Sequence, residues 1–222
     1  MTRFNNIEVI NIILEQGLIP VFYNGNFETA KNIISAIVKG GGRIVEFTNR
    51  GDFGYEIFTR LIKYFENKEP QLVIGAGSIF EPYTAAVYIN SGANFIVGPI
   101  LNPEIAKLCN RRKIPYSPGC GTPSEISYAE ELGCEIIKIF PGDLLGGPNF
   151  IKSILAPSPW TKTMPTGGID ITEESIKEWF EAGVVAVGIG SKLISKDLVA
   201  KENWDGIAKN IANTLSLIKK YK

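Results

Sequence analysis

One pattern of hydrophobic and polar positions repeats from end to end of the chain. A short apolar run ends in Gly, Pro or a polar residue, and an amphipathic stretch of about ten residues follows it. Stretches such as residues 27–41 and 123–133 are predicted helices, and several end at a glycine just before the next apolar run. The eight apolar runs are predicted strands, and they begin at Leu18, Arg43, Gln71, Asn94, Ile114, Glu135, Thr161 and Val184.

This alternation predicts an α/β fold, a single (β/α)8 TIM barrel that spans residues 1–222 as one domain. The segment before Leu18 is predicted to form an extra N-terminal helix across the barrel floor, and the segment from Glu202 onward to form the closing helix. The alternative is a doubly wound open sheet. Such a sheet normally carries a G-x-G-x-x-G turn after its first strand, and here that turn reads YNGNFE.

The composition excludes several classes of function. The chain has 23 basic and 23 acidic residues, so charge gives no argument for a nucleic-acid or membrane partner. No apolar run reaches the roughly 18 residues of a membrane helix, and the N-terminus lacks a signal-peptide core. We therefore expect a soluble, cytoplasmic protein. Its three cysteines have no CxxC spacing and are expected to be reduced and buried: Cys109, Cys120 and Cys134.

The chain contains no histidine. This excludes Ser–His and Cys–His nucleophile pairs, His general bases and His metal ligands. Acid–base chemistry must use Glu, Asp, Lys, Tyr or water, and we expect no metal or cofactor.

The second predicted strand carries a carboxylate in its middle. Side chains alternate along a strand, so Val45 and Phe47 should face the helices while Glu46 and Thr48 point into the barrel. A carboxylate inside a barrel lowers the stability of the fold unless it is paired with a cation, so an unpaired one indicates a catalytic role. We favour a catalytic role for Glu46; a structural ion pair with a nearby Lys or Arg is the alternative.

The sixth predicted strand places Lys138 between two isoleucines near the strand's C-terminal end. Apolar surroundings favour the neutral amine, which is the nucleophile that attacks a ketone. An ion pair with Glu46 is compatible with that role, because a carboxylate beside a Schiff base can transfer the required protons. Lys162 starts a strand at the opposite end of the barrel. Lys192 follows the second of two glycine-rich turns; we favour a solvated helix position for it, and a position near a bound phosphate is the alternative.

Further candidates stand where other predicted strands end, which is where barrel active sites lie. Two glycine-rich turns follow the last two strands and suit a phosphate, although merely tight turns are the alternative. Ser191 could bind that phosphate or cap the next helix. Arg50 could bind a carboxylate bidentately or be an ordinary surface arginine. The remaining candidates for contact with a substrate are Ser78, Pro99 and Thr166.

These motifs, taken in order, resemble the 2-dehydro-3-deoxy-phosphogluconate aldolase and 4-hydroxy-2-oxoglutarate aldolase family. The likeness runs from the first predicted strand to Ser191, through EFTNR at residues 46–50, GAGS at 75–78, KIFP at 138–141 and PTGGI at 165–169. It implies a class I aldolase on a (β/α)8 barrel that releases pyruvate. A small-molecule 2-oxo acid is the implied partner, and the family is commonly homotrimeric.

The resemblance also implies roles for individual residues. Lys138 matches the Schiff-base lysine, Glu46 the general acid and base, Arg50 the residue that binds the substrate carboxylate, and Phe140 an aromatic ring beside the imine. Thr48, Ser78, Pro99 and Thr166 are expected to contact the substrate. The implied phosphate pocket consists of Gly167, Gly168, Gly190 and Ser191.

The implied reaction is cleavage of 2-dehydro-3-deoxy-6-phosphogluconate to pyruvate and glyceraldehyde 3-phosphate. Departures from the family pattern near the substrate keep other substrates open. Ser78 stands where many members have Thr, Tyr23 and Asn24 stand where some have Arg, and residues 49–53 differ from the commoner loop. The alternatives are 4-hydroxy-2-oxoglutarate, the 6-phosphogalactonate epimer, and a phosphate-binding barrel that is not an aldolase.

Overall fold

The computed structural model describes residues 3–222 and alternates helices with short strands. The strands are β1 Leu18–Phe22, β2 Ile44–Thr48, β3 Val73–Gly77, β4 Ile96–Val97, β5 Tyr116–Ser117, β6 Gly119–Cys120, β7 Ile137–Ile139, β8 Thr163–Pro165 and β9 Val187–Ile189. The helices are α1 Asn6–Gln16, α2 Phe27–Lys39, α3 Gly54–Lys68, α4 Pro82–Asn90, α5 Pro103–Arg112, α6 Pro123–Glu131, α7 Gly147–Leu155, α8 Glu173–Glu181, α9 Lys196–Ala200 and α10 Trp204–Tyr221.

Each of the eight predicted apolar runs contains at least one strand, and the predicted N-terminal and closing helices are α1 and α10. Local chemistry fixes many of the boundaries. The side chain of Asn26 accepts a hydrogen bond from Thr29 N at 3.0 Å to start α2, and Asn5 and Glu8 form a reciprocal capping box on α1. Gly133 follows α6 with a φ of +80°, which glycine adopts without strain.

The strands form two parallel sheets. One has the order β5-β4-β3-β2-β1-β9, and the other has the order β6-β7-β8. An isolated parallel bridge between Thr166 and Gly188 joins the end of β8 to β9. Because every pairing is parallel, the carboxyl ends of the strands and the loops that follow them lie at one end of the molecule.

The sequence predicted one strand from Ile114 onward, and the structure divides it at Pro118 into β5 and β6, which belong to different sheets. Proline has no N–H to donate to a neighbouring strand, so the ladder is interrupted there. Its carbonyl still accepts from Lys138 N at 3.0 Å. Gly119 has no room for a side chain, because a Cβ would collide with the carbonyl of Pro99.

The apolar core has two layers. Val45 and Phe47 belong to the layer between the sheets and the helices, whereas Ile44 belongs to an inner cluster on the opposite face of β2. This confirms the predicted alternation along β2. Val9 and Ile13 of α1 join the inner cluster beside residues near the amino ends of the strands. Since α1 covers the amino ends of the strands, we expect an accessible polar site at their carboxyl ends.

Within residues 3–222, no helix combines the length and apolar character needed to cross a membrane. The three cysteines are buried and free, as expected.

Candidate functional site

Glu46 is buried, with 1% of its surface exposed, at the centre of β2. Its carboxyl group lies against Gly77 of the neighbouring strand, where any Cβ would collide with Oε1. Within residues 3–222, Oε1 has no hydrogen-bond partner. Burial raises the pKa of Glu46, and the positive charges of Lys138 and Arg50 oppose this increase. The result is a carboxyl group able to hold and release a proton close to two cations.

Lys138 is the middle residue of β7 and is 5% exposed. Its Nζ lies 4.9 Å from the centre of the Phe140 ring, which is itself partly exposed at the carboxyl end of the strand. The amine of Lys138 interacts electrostatically with Glu46. No ion pair within 4.0 Å joins these two described residues, so the direct pair considered from the sequence is not formed.

A cavity of about 880 Å³ opens at the same end of the molecule. Half of the twelve site residues predicted from the sequence line it, and these are Arg50, Thr166, Gly167, Gly168, Gly190 and Ser191. The predicted anion pocket and the predicted carboxylate-binding arginine therefore share one cavity. The other half, which are not among its lining residues, are Glu46, Thr48, Ser78, Pro99, Lys138 and Phe140.

The first of the two glycine-rich turns has a backbone conformation that favours glycine. Gly167 and Gly168 have φ values of +98° and +72°. Gly188 packs so closely against the hydroxyl of Thr166 that a Cβ would collide with it. The Thr166 hydroxyl is buried and has no hydrogen-bond partner among residues 3–222. Gly167, Gly168 and Gly190 line the cavity and have no side chain, so these turns present backbone to it.

Ser191 does not cap the following helix. The cap of α9 is Ser195, whose hydroxyl accepts from Leu198 N at 3.2 Å. Ser191 is exposed in the turn before it and lines the cavity. Of the two roles considered from the sequence, helix capping is wrong, and contact with a phosphate stays a prediction.

Three other predicted residues occupy strand ends beside these groups. Thr48 is buried, and its hydroxyl donates to the carbonyl of Phe22, a cavity residue, at 3.4 Å. Ser78 directly follows β3 with a φ of +59°, in the left-handed region that non-glycine residues seldom adopt. Pro99 follows β4 and places its carbonyl against Gly119.

Sequence reasoning missed how Arg50 is supported. Asn49, the residue before it, accepts a hydrogen bond from the Tyr88 hydroxyl of α4 at 2.9 Å. The backbone N–H of Asn49 donates to Gly77 O at 2.8 Å. Because these partners are far away in sequence, no local pattern could have revealed them.

The expectation for Lys192 was wrong in one respect. It lies in the turn before α9, not in a helix, and it lines the cavity. Its Nζ forms an ion pair with Asp170, another cavity residue, at 2.6 Å. The feature of the sequence that could have indicated a place in the cavity wall is the position of Lys192 directly after Ser191.

No group of three or more Cys, Asp and Glu side chains within residues 3–222 is arranged to hold a metal ion. The described site offers an amine, a carboxyl group and hydroxyl groups beside two glycine-rich turns.

Comparison with known proteins gives a consistent set of relatives. The chain matches the model of the KDPG and KHG aldolase family over residues 9–210. It is 30% identical over 213 residues to the 2-dehydro-3-deoxy-phosphogluconate aldolase of Haemophilus influenzae, covering 96% of this chain and 97% of the relative. It is 28% identical to the KHG/KDPG aldolase of Escherichia coli over 90% of this chain and 91% of that protein.

A solved structure is similar as well. The crystal structure of KDPG aldolase from Legionella pneumophila, with pyruvate captured as a covalent carbinolamine intermediate, superposes with a TM-score of 0.83. It is 26% identical, and the match covers 91% of this chain and 96% of that one.

Proposed function

The chain belongs to the KDPG and KHG aldolase family and is a lyase, and from this premise we propose that it cleaves 2-dehydro-3-deoxy-6-phosphogluconate through a Schiff base on Lys138. The products are pyruvate and glyceraldehyde 3-phosphate. The observation that carries the proposal is a lysine that is 5% exposed in the middle of β7, together with a carboxyl group, Glu46, that is 1% exposed in the middle of β2. The covalent pyruvate adduct of the Legionella pneumophila relative supports it.

The proposed cycle uses Lys138 and Glu46. The neutral amine of Lys138 attacks the C2 ketone to form a carbinolamine, and Glu46 donates the proton with which the hydroxyl leaves as water. The resulting iminium accepts electrons when the C3–C4 bond breaks, while Glu46 removes the proton of the C4 hydroxyl. Protonation of the enamine at C3 and hydrolysis of the imine release pyruvate.

Other residues bind the substrate around this centre. Arg50 binds the carboxylate next to the ketone, and Phe140 packs beside the imine. The turns at Gly167-Gly168 and Gly190-Ser191 bind the phosphate through backbone N–H groups. Smaller contacts with the carbon chain are assigned to Thr48, Ser78, Pro99 and Thr166.

4-Hydroxy-2-oxoglutarate is a second candidate substrate, because the name of the Escherichia coli relative includes that activity. Its remote group is a carboxylate, which carries less charge than a phosphate and has two oxygens instead of three. We therefore propose a preference for the phosphorylated substrate. The same pocket would accept the 6-phosphogalactonate epimer, which differs only at C4.

We also propose that the two sheets close into a single (β/α)8 barrel that forms one domain. β5 and β6 would be one strand interrupted at Pro118, and the Thr166–Gly188 bridge would seal the other seam. Val185 N also donates to Thr163 O at 3.0 Å across that seam.

Further proposals are a cytoplasmic location, where phosphorylated sugar acids are metabolised, and a homotrimer.

The test of the proposed function is to trap the Schiff base. Wild-type protein incubated with pyruvate and borohydride should gain one reduced pyruvate per chain, and peptide mass spectrometry should locate it on Lys138. Lys138→Arg keeps the positive charge but should give no adduct. Lys162→Arg, which changes a lysine at the amino end of β8, is the matched control and should be labelled like the wild type. Labelling at another lysine, or none, would disprove the mechanism and favour a phosphate-binding barrel.

A substrate panel tests the preference. Pyruvate release should be faster, in kcat/KM, from 2-dehydro-3-deoxy-6-phosphogluconate than from 4-hydroxy-2-oxoglutarate, because binding energy from the remote phosphate contributes in the transition state. Equal values would make the oxoglutarate activity the better description. Comparison of the gluconate and galactonate epimers decides the stereochemistry at C4.

A further inference from the structure

Lys192 and Asp170 form an ion pair inside the cavity that holds the glycine-rich turns. Asp170 follows the first of these turns, and Lys192 directly follows Ser191 in the second. The 2.6 Å contact between Lys192 Nζ and Asp170 Oδ2 therefore links the two loops that the proposed function assigns to the phosphate.

The carboxylate of Asp170 is held in place from both sides. Its Oδ1 accepts a hydrogen bond from Ile171 N at 2.7 Å, while Oδ2 accepts from Lys192. The backbone N–H of Asp170 donates to the Ser175 hydroxyl of α8 at 3.2 Å. The hydrogen bond from Lys192 lowers the pKa of Asp170, so this group stays ionised at neutral pH. Lys192 is thus tethered to a fixed point at the cavity wall.

The charges along the cavity wall favour an anion. Its charged lining residues are Arg50, Lys192 and Lys196 on the positive side and Asp170 on the negative side. Backbone N–H groups supply partial charges, but a phosphate dianion gains more from a full positive charge at hydrogen-bond distance. Lys192 is the lysine that immediately adjoins a residue of the phosphate pocket.

We propose that Lys192, oriented by Asp170, binds the substrate's phosphate. It thereby determines the preference for phosphorylated substrates over those whose remote group is uncharged or weakly charged. This rests on the proposed function, since it assigns a role within the same site. Asp170 is the positioning residue: it prevents the lysine side chain from extending into solvent. When the phosphate binds, Lys192 Nζ uses one of its three donors for Asp170 and the others for the phosphate.

The pair makes a specific electrostatic prediction. If Lys192 alone is neutralised, Asp170 remains as an uncompensated negative charge facing the phosphate. Removing that charge as well should then restore part of the lost affinity. A pair that acts only as a surface ion pair would show neither effect.

The experiment compares the wild type with Lys192→Gln and the double variant Lys192→Gln/Asp170→Asn. Lys177→Gln is the matched control, because Lys177 also forms an exposed ion pair, with Glu181 at 3.8 Å, but does not line the cavity. Binding of inorganic phosphate is measured by calorimetry, which does not depend on turnover. Values of kcat/KM are measured for 2-dehydro-3-deoxy-6-phosphogluconate and for its unphosphorylated analogue.

Lys192→Gln should weaken phosphate binding and lower kcat/KM for the phosphorylated substrate by roughly tenfold each, the loss expected for one exposed charge-assisted contact. The analogue should be turned over at the wild-type rate. The double variant should bind phosphate about threefold better than the single variant, since one repulsive charge is gone. The control should match the wild type in every assay.

Two results would overturn the proposal. If Lys192→Gln binds phosphate with wild-type affinity, the pair is only a surface ion pair. If the double variant shows no recovery of affinity, Asp170 does not act on the phosphate. Failure of the proposed function is recognised separately. In that case the wild type would not trap pyruvate on Lys138, whereas the calorimetric comparison would still report on Lys192.

Discussion

At the scale of single residues, Glu46 combines a cost to stability with a use in catalysis. The carboxyl group is buried against Gly77, and within residues 3–222 one of its oxygens has no hydrogen-bond partner. An apolar side chain of similar size would suit this position better for stability alone. The carboxyl group is explained by proton transfer to and from a substrate held on Lys138.

Replacement of Glu46 by Gln separates these two effects. We expect kcat to fall by roughly 10²–10⁴-fold, the usual contribution of a general acid or base. Because burial raises the pKa of Glu46 in the folded protein, the folded state binds its proton more tightly than the unfolded state. That stabilisation is present below the unfolded pKa and is lost as the pH rises through the folded value.

The neutral Gln does not titrate, so Glu46→Gln should gain stability relative to the wild type as the pH rises. Urea unfolding at about pH 5 and about pH 8 measures this change, because the range lies above the ordinary pKa of Glu. Glu174→Gln, an exposed carboxylate in α8, is the control and should follow the wild type. A stability difference for Glu46→Gln that is independent of pH would contradict the raised pKa.

The environment of a side chain was predictable where the local sequence pattern determines it. Strand alternation placed Glu46 on the inner face of β2, and the flanking isoleucines indicated the burial of Lys138. The partnership of Lys192 with Asp170 was not predictable, because the two residues are 22 positions apart and meet only when β8 and β9 are neighbours. Long-range contacts of this kind leave no periodic signal in the sequence.

At the scale of secondary-structure elements, α4 supports the loop after β2, which carries Arg50, although α4 itself contributes no residue to the site. Tyr88 of α4 is 1% exposed and donates to Asn49 Oδ1, which fixes the residue before Arg50. Burial raises the pKa of Tyr88 to about 12. The hydroxyl therefore remains a donor throughout the working pH range, and the loop after β2 stays attached to the helix.

Tyr88→Phe should loosen this loop without changing the reacting groups. The half-buried Asn49 acceptor loses its donor, and we expect KM for the 2-oxo acid to rise about three- to tenfold while kcat changes less, corresponding to about 1 kcal/mol. Steady-state kinetics with the phosphorylated substrate measure both constants. Tyr128→Phe on α6, where the ring is 44% exposed, is the control. An unchanged KM would show that Arg50 does not depend on this hydrogen bond.

The elements themselves were more predictable than their assembly. Turn glycines, polar helix caps and apolar runs are local features, and they predicted the strand positions and the two terminal helices. The fifth predicted strand divides at Pro118, which has no N–H to donate, and the carbonyl of Pro99 lies against the adjoining Gly119. That contact joins the ends of two different strands, so only the folded arrangement reveals it.

At the scale of the whole molecule, one part of the surface is unusually apolar. Tyr83 and Val87 lie one turn apart on α4 and are 79% and 44% exposed. Phe80 precedes the helix and Ile100 follows β4, with exposures of 57% and 49%. The side chain of Asn102 joins these two loops by donating to Phe80 O at 2.9 Å. An apolar surface of this kind is typical of a contact between protein chains.

We expect this α4 surface to be buried in the proposed homotrimer, in which each chain contributes it once around a threefold axis. Light scattering on the wild type at micromolar concentration should give the mass of three chains. Tyr83→Lys/Val87→Lys introduces charges that cannot be buried without partners, so this variant should have the mass of one chain. Trp160→Lys removes an apolar side chain that is 68% exposed just before β8 and should remain trimeric. A wild type with the mass of one chain would exclude the trimer, and a Tyr83→Lys/Val87→Lys variant that keeps the mass of three chains would place the contact elsewhere.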